Sequence, residues 1–143
     1  LDNRTTGMTG HQGNPFNGKT LQGRPSRELG LEGMIKALGI EDIQTVNPND
    51  MTAVREAIKG AISRPDELSV IVFRSPCVLL KDSFVRKAPY SVSGSCRACG
   101  VCIQLGCPAI RKNEDGTASI DYEQCVGCGQ CASYCNFGCI TQE

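Results

Sequence analysis

The sequence predicts two domains of different class. Residues 1–80 read as an α/β segment built on a parallel sheet, and residues 94–143 as a small, cysteine-dense α+β segment. Three observations carry this reading. Apolar residues between Ser26 and Phe73 recur in the order helix, strand, helix, strand. Nine of the ten cysteines fall between Cys96 and Cys139. Between these regions, residues 81–93 (KDSFVRKAPYSVS) mix charge, a proline and small polar residues, and read as a linker.

Residues 1–25 are rich in Gly, Asn, Thr and Pro without periodicity. Such a stretch is either a functional loop or a disordered one. Ser26 is expected to cap a helix carrying Leu29, Leu31, Met34, Ile35 and Leu38 on one face, stopped by Gly39. Ile43, Thr45 and Val46 form a short strand ended by Asn47-Pro48. Asn49 or Asp50 then caps a second helix, in which Met51, Val54, Ala57, Ile58, Ala61 and Ile62 recur at helical spacing until Arg64-Pro65-Asp66. The unbroken apolar run from Leu68 to Phe73 has the composition of a strand covered on both faces. These apolar stripes are expected to be core. The series fits the closing half of a parallel α/β domain, which binds ligands at the carboxyl ends of its strands. Cys77 follows the last strand and is expected to be a buried, inert thiol.

The remaining cysteines form an internal repeat. Cys96-x2-Cys99-x2-Cys102-x4-Cys107-Pro108 is matched, 29 positions on from Cys96, by Cys125-x2-Cys128-x2-Cys131-x3-Cys135. Three thiolates spaced by two residues wrap one compact centre from a single loop, and Gly100, Gly127 and Gly129 let the backbone approach it. Structural zinc typically uses two separated cysteine pairs and fits this spacing poorly. A disulfide framework fits worse, with no secretory signal at the start of the sequence. The runs resemble those of bacterial two-cluster ferredoxins, in which the fourth cysteine ligates the other cluster. That resemblance implies two [4Fe–4S] clusters, one on Cys96, Cys99, Cys102 and Cys135, the other on Cys125, Cys128, Cys131 and Cys107. Asn113-Glu114-Asp115-Gly116, between the runs, reads as a hairpin turn flanked by short strands. Cys139 is left over, and is expected to pack as a small hydrophobe.

The segment Asn3-Arg-Thr-Thr-Gly-Met-Thr-Gly-His-Gln12 resembles the second half of the thiamine-diphosphate/Mg²⁺ motif of 2-oxoacid:ferredoxin oxidoreductases, in particular the large subunit of the indolepyruvate enzymes. The resemblance makes residues 1–80 the C-terminal half of a thiamine-diphosphate-binding domain. It implies Mg²⁺ ligation by the Asn3 side chain and the Thr5 carbonyl, with Thr9, Gly10, His11 and Gln12 in the cofactor loop. Hard oxygen donors beside a diphosphate suit Mg²⁺. His11 is the only histidine, and a solvated or locally bonded role competes with contact to substrate. No catalytic residue is assigned. The family's upstream Gly-Asp-Gly-like half, with its acidic metal ligand, is not in this sequence, and the opening at Leu1 is read as part of something longer.

The resemblance further implies oxidative decarboxylation of a 2-oxoacid, an arylpyruvate such as indolepyruvate, to an acyl-CoA. Electrons would leave through the clusters to an external ferredoxin, and a smaller beta subunit would complete the enzyme. The rival reading is a plain electron-transfer module whose N-terminal segment docks a partner. Zero net charge suggests neither nucleic acid nor an anionic membrane as a partner. No apolar run approaches the roughly 20 residues of a membrane-spanning helix. Thiols kept unpaired point to a reducing cytoplasm.

Overall fold

The structure is a computed structural model that describes residues 1–7, 12–81 and 84–142. It divides into two compact units, Leu1–Phe84 and Val85–Glu143. The break falls inside the stretch read as a linker, and residues 90–92 of that stretch form a strand of the second unit.

In the first unit, helix α1 (Leu31–Ala37) is followed by strand β1 (Asp42–Val46), helix α2 (Met51–Ile62) and strand β2 (Ser69–Phe73). Strands β1 and β2 pair in parallel, from Asp42 opposite Ser69 to Val46 opposite Phe73, with α2 as the crossover. Asp50 caps α2, its side chain accepting from the backbone N–H groups of Thr52 and Ala53 at 3.1 and 3.0 Å. Gly39 ends α1 as expected, at a φ of 84° that favours glycine.

Ser26 does not cap α1. The N-cap is Gly30, without a side-chain bond. The Ser26 N–H donates to the Gly18 carbonyl at 2.8 Å and the Leu29 N–H to the Pro15 carbonyl at 3.0 Å, which keeps residues 26–29 out of the helix. The apolar stripes are also less buried than a core would be. In α2 only Ala57 is buried, and in β2 only Val72. Met34, Leu38, Ile58 and Ile62 are exposed. A sheet this narrow covers one side of α2 and little else.

The chain start extends the sheet. The Asp2 N–H donates to the Phe73 carbonyl at 2.8 Å and the Ser75 N–H to the Asp2 carbonyl at 3.0 Å, making a parallel bridge between Asp2 and Arg74. The Arg74 N–H instead faces Val46 of β1, so residues 1–3 lie on the opposite edge of β2, at its carboxyl end.

The second unit is built from short pieces: β3 (Tyr90–Val92), a 3-10 turn (Ile103–Leu105), β4 (Ile110–Lys112), β5 (Ala118–Ile120), α3 (Gln130–Tyr134) and β6 (Ile140–Gln142). Strands β4 and β5 form the expected hairpin, closed by the Gly116 N–H to the Asn113 carbonyl at 3.0 Å. Strand β3 pairs antiparallel with β6. The 29-residue offset between cysteine runs also relates β3 to β5 and β4 to β6 within one residue. Each half therefore lends its strands to the other. The buried core holds Cys102, Ala118, Cys139 and Ile140.

Candidate metal centres and cofactor-binding loop

The strand exchange gathers the thiols into two sets. The charges of Cys96, Cys99 and Cys135 bear on Cys102. Those of Cys128, Cys125 and Cys107 bear on Cys131. Each set joins the triplet of one run to the last cysteine of the other. Cys96, Cys99, Cys102 and Cys135 line a single apolar hollow, and Cys139 lines it with them.

Backbone N–H groups and burial set the thiol electrostatics. Those of Ala118 and Ala98 hold Cys96 below the ordinary thiol range, with burial opposing. Burial pushes Cys135 up, but the Cys139 thiol and the N–H groups of Phe137, Cys139 and Ile140 outweigh it, and the thiol lies low. Burial raises Cys102, and pushes Cys131 up to about 11. In the second set, the Tyr90 N–H points at Cys125 Sγ from 3.5 Å. Arg86 buttresses that loop by donating to the carbonyls of Cys125 and Tyr122, both at 3.0 Å, and of Glu123.

The donor set fits an iron–sulfur cluster better than a lone ion. Thiolates around zinc at about 2.3 Å stand about 3.8 Å apart. No group of three or more His, Cys, Asp or Glu among the described residues is gathered tightly enough to hold a single metal ion. All-thiol sets with N–H groups aimed at sulfur suit a larger inorganic sulfide core.

In the first unit, Asn3 sits where residues 1–3 leave the edge of β2. Its carbonyl accepts from the Cys77 N–H at 2.9 Å, and its Oδ1 accepts from the Thr5 N–H at 3.2 Å. Thr5 is buried, and its hydroxyl donates to the Gln12 carbonyl at 3.1 Å. Backbone bonds between Thr6 and Gln12 close the loop. Asn3, Thr5 and Gln12 are thus brought together, whereas Thr9, Gly10 and His11 lie outside the described residues. An open pocket beside Thr5 is lined by Arg4, Asn17, Lys19 and Lys81 among others. The Asp2 carboxylate is taken up by ion pairs with Arg74 at 2.7 Å and Arg4 at 3.8 Å. Burial raises the Asp2 carboxyl, but the Arg74 guanidinium and the Arg4 N–H outweigh it, leaving it below the usual carboxylate range. Cys77 is half-buried rather than buried, its N–H tied to Asn3.

The family model for the C-terminal TPP-binding domain of thiamine pyrophosphate enzymes matches residues 1–73. The chain belongs to this family. A 4Fe–4S binding domain model matches residues 118–141, which include the second cysteine triplet and Cys135. The chain is similar over its whole length to indolepyruvate oxidoreductase subunit IorA of Methanothermobacter thermautotrophicus, at 37% identity over 148 aligned residues and 23% of that protein. The same subunit of Thermococcus kodakarensis is 38% identical over 96% of the chain, and that of Archaeoglobus fulgidus 33% over 94%, each across 22% of the relative. The chain thus spans less than a quarter of the length of these relatives. No solved structure gives a significant match. The resemblance drawn from the Asn3–Gln12 and cysteine motifs is borne out by these oxidoreductase subunits.

Several contributors to the sites carry no motif. Arg74 ties Asp2 to Glu32 across 72 and 42 residues of chain, and Arg86 holds the second cysteine loop from outside either run. Their partners are mostly backbone carbonyls or single carboxylates, which leave no spacing to read. Cys139 is the exception: an unassigned cysteine four residues after a ligand candidate was a visible signal.

Among the described residues no helix is long and apolar enough to cross a membrane.

Proposed function

We propose that this chain is the thiamine-diphosphate and electron-transfer part of a 2-oxoacid oxidoreductase. The observation that carries the reading is the match, in one chain, of a thiamine pyrophosphate enzyme domain to residues 1–73 and a 4Fe–4S binding domain to residues 118–141. Cys96, Cys99, Cys102 and Cys135 hold one [4Fe–4S] cluster, and Cys125, Cys128, Cys131 and Cys107 the other. Asn3 Oδ1 and the Thr5 carbonyl are ligands for Mg²⁺, and the cationic pocket of Arg4, Lys19 and Lys81 suits the diphosphate. Thr9, Gly10, His11 and Gln12 complete the cofactor loop.

Bound thiamine diphosphate supplies an electron sink for decarboxylation, and the clusters carry electrons singly. The chain's own residues position these groups, and the N–H groups on Cys96, Cys125 and Cys135 tune the clusters. The substrate is indolepyruvate or another arylpyruvate, as the names of the relatives suggest. Coenzyme A takes the acyl group, an external ferredoxin takes the electrons, a smaller beta subunit completes the assembly, and the cytoplasm is its compartment.

Anaerobic reconstitution tests the metal reading. The protein should hold about eight irons and eight acid-labile sulfides, with absorption that bleaches on dithionite. Stoichiometric zinc without labile sulfide would refute it. Calorimetry tests the thiamine reading: Asn3 and Thr5 supply two neutral donors, short of the near-octahedral oxygen shell Mg²⁺ demands. The 143-residue chain alone should therefore show no micromolar, Mg²⁺-dependent binding, whereas Asn3→Ala in a complete enzyme should abolish cofactor retention and leave iron unchanged.

The second reading, an electron-transfer module without catalysis, is favoured by one feature. Both thiol quartets lie wholly within the second unit. Dithionite reduction of the chain together with no 2-oxoacid turnover in the complete protein would establish it.

A further inference from the structure

Cys139 is the one thiol of the second unit outside the two quartets. It is 4% exposed, it lines the hollow of the first quartet, and its Sγ lies 3.2 Å from Cys135 Sγ. That separation is hydrogen-bond contact between sulfurs.

The internal repeat supplies a built-in comparison. Cys139 precedes Ile140 at the start of β6, and its carbonyl accepts from the Ser93 N–H at 2.8 Å. Ala109 precedes Ile110 at the start of β4, and its carbonyl accepts from the Asp121 N–H at 2.8 Å. Ala109 is likewise buried, at 1% exposure. The two positions share backbone role and burial and differ in one atom: the sulfur that reaches Cys135 has no counterpart beside Cys107.

We propose that Cys139 is a positioning residue for the cluster on Cys96, Cys99, Cys102 and Cys135, donating an S–H hydrogen bond to Cys135 Sγ and raising that cluster's reduction potential. The inference rests on the two-cluster reading. Four cysteines complete a cubane, so the fifth thiol keeps its proton while Cys135 gives its own up to iron ligation. A hydrogen bond to a ligating sulfur withdraws charge from it and stabilises the more negative, reduced cluster. Cys139 then makes two otherwise repeated sites unequal.

The test is potentiometric titration followed by electron paramagnetic resonance on the anaerobically reconstituted chain, as wild type, Cys139→Ala and Cys139→Ser. All three should hold equal iron and labile sulfide. Cys139→Ala should lower the midpoint potential of one cluster and leave the other unchanged, and Cys139→Ser, which keeps a donor, should stay nearer to wild type. Unchanged potentials in Cys139→Ala would overturn the proposal, and loss of half the iron would overturn it by making Cys139 a ligand. An absence of labile sulfide in wild type would instead sink the two-cluster reading. Should Cys139→Ala refuse clusters, infrared spectroscopy of Cys77→Ala decides, because Cys139 is then the only unligated thiol. An S–H stretch lowered from the free-thiol frequency supports the bond, and a free-thiol band or no band refutes it.

Discussion

Gly127 and Ala98 occupy matching places in the two cysteine loops and meet the same backbone demand differently. Both have positive φ, 71° at Gly127 and 52° at Ala98. A Cβ on Gly127 would stand 2.6 Å from the Ala88 carbonyl oxygen, so this position is closed to side chains. Gly127→Ala should destabilise the second unit by ~2 kcal/mol or more and lower iron retention, read by thermal melting and iron analysis under anaerobic conditions. Ala98→Gly should relieve a left-handed cost of about 1–2 kcal/mol, offset by about 0.4–1 kcal/mol of added unfolded-chain entropy, and so be neutral to slightly stabilising. At Glu32, hydrogen bonding to Arg74 holds the carboxyl down to about 2, below its ordinary 4.5. A carboxyl depressed on folding stabilises the fold above its unfolded pKa, and that contribution is lost as pH falls towards the folded value. Acidification from about 4.5 to about 2 should therefore weaken wild type more than Glu32→Gln, as amide exchange in β1 and β2 would report. Equal acid sensitivity would remove the Arg74–Glu32 pair from the account.

At the scale of elements, the second unit is two halves that exchange strands. β3 of the first half pairs with β6 of the second, and β4 of the first with β5 of the second. The same exchange carries Cys107 towards the second triplet and Cys135 towards the first. Iron counting on double variants tests the crossing. Cys107→Ala with Cys131→Ala should strike one cluster and leave about four irons, whereas Cys107→Ala with Cys102→Ala should strike both and leave none. The reverse pattern would mean that each run holds its own cluster.

For the whole molecule, the two units differ in what holds them together. Among the described residues the buried apolar positions of the second are Cys102, Ala109, Ala118, Cys125, Cys139 and Ile140, three of them cysteines, and a unit of this size is marginal on apolar burial alone. Ligation across the repeat would close its long loops instead. Chelating the iron should therefore unfold residues 85–143 while β1, α2 and β2 keep their amide protection, as hydrogen exchange would show. Loss of protection throughout both units would mean that they fold as one.

Where structure follows from neighbours in sequence, the sequence sufficed. Asp50 caps α2 because its side chain reaches N–H groups two and three residues on, Gly39 stops α1 by its own φ, and Asn113–Gly116 turn within four residues. The cysteine spacing likewise announced its chemistry, since a triplet loop is a local object. What spans the chain had to wait for the tertiary structure. Residues 26–29 are held out of α1 by carbonyls of Pro15 and Gly18, and Tyr90–Val92 become a strand because β6 offers a partner. The exposure of Met34 and Leu38 depends on how much sheet lies beneath them, which periodicity does not report. Cys139 shows the division most plainly. Its presence was legible, but its 3.2 Å approach to Cys135 follows from the direction in which β6 leaves its loop, and hydrogen bonds between side chains are set by such directions rather than by spacing.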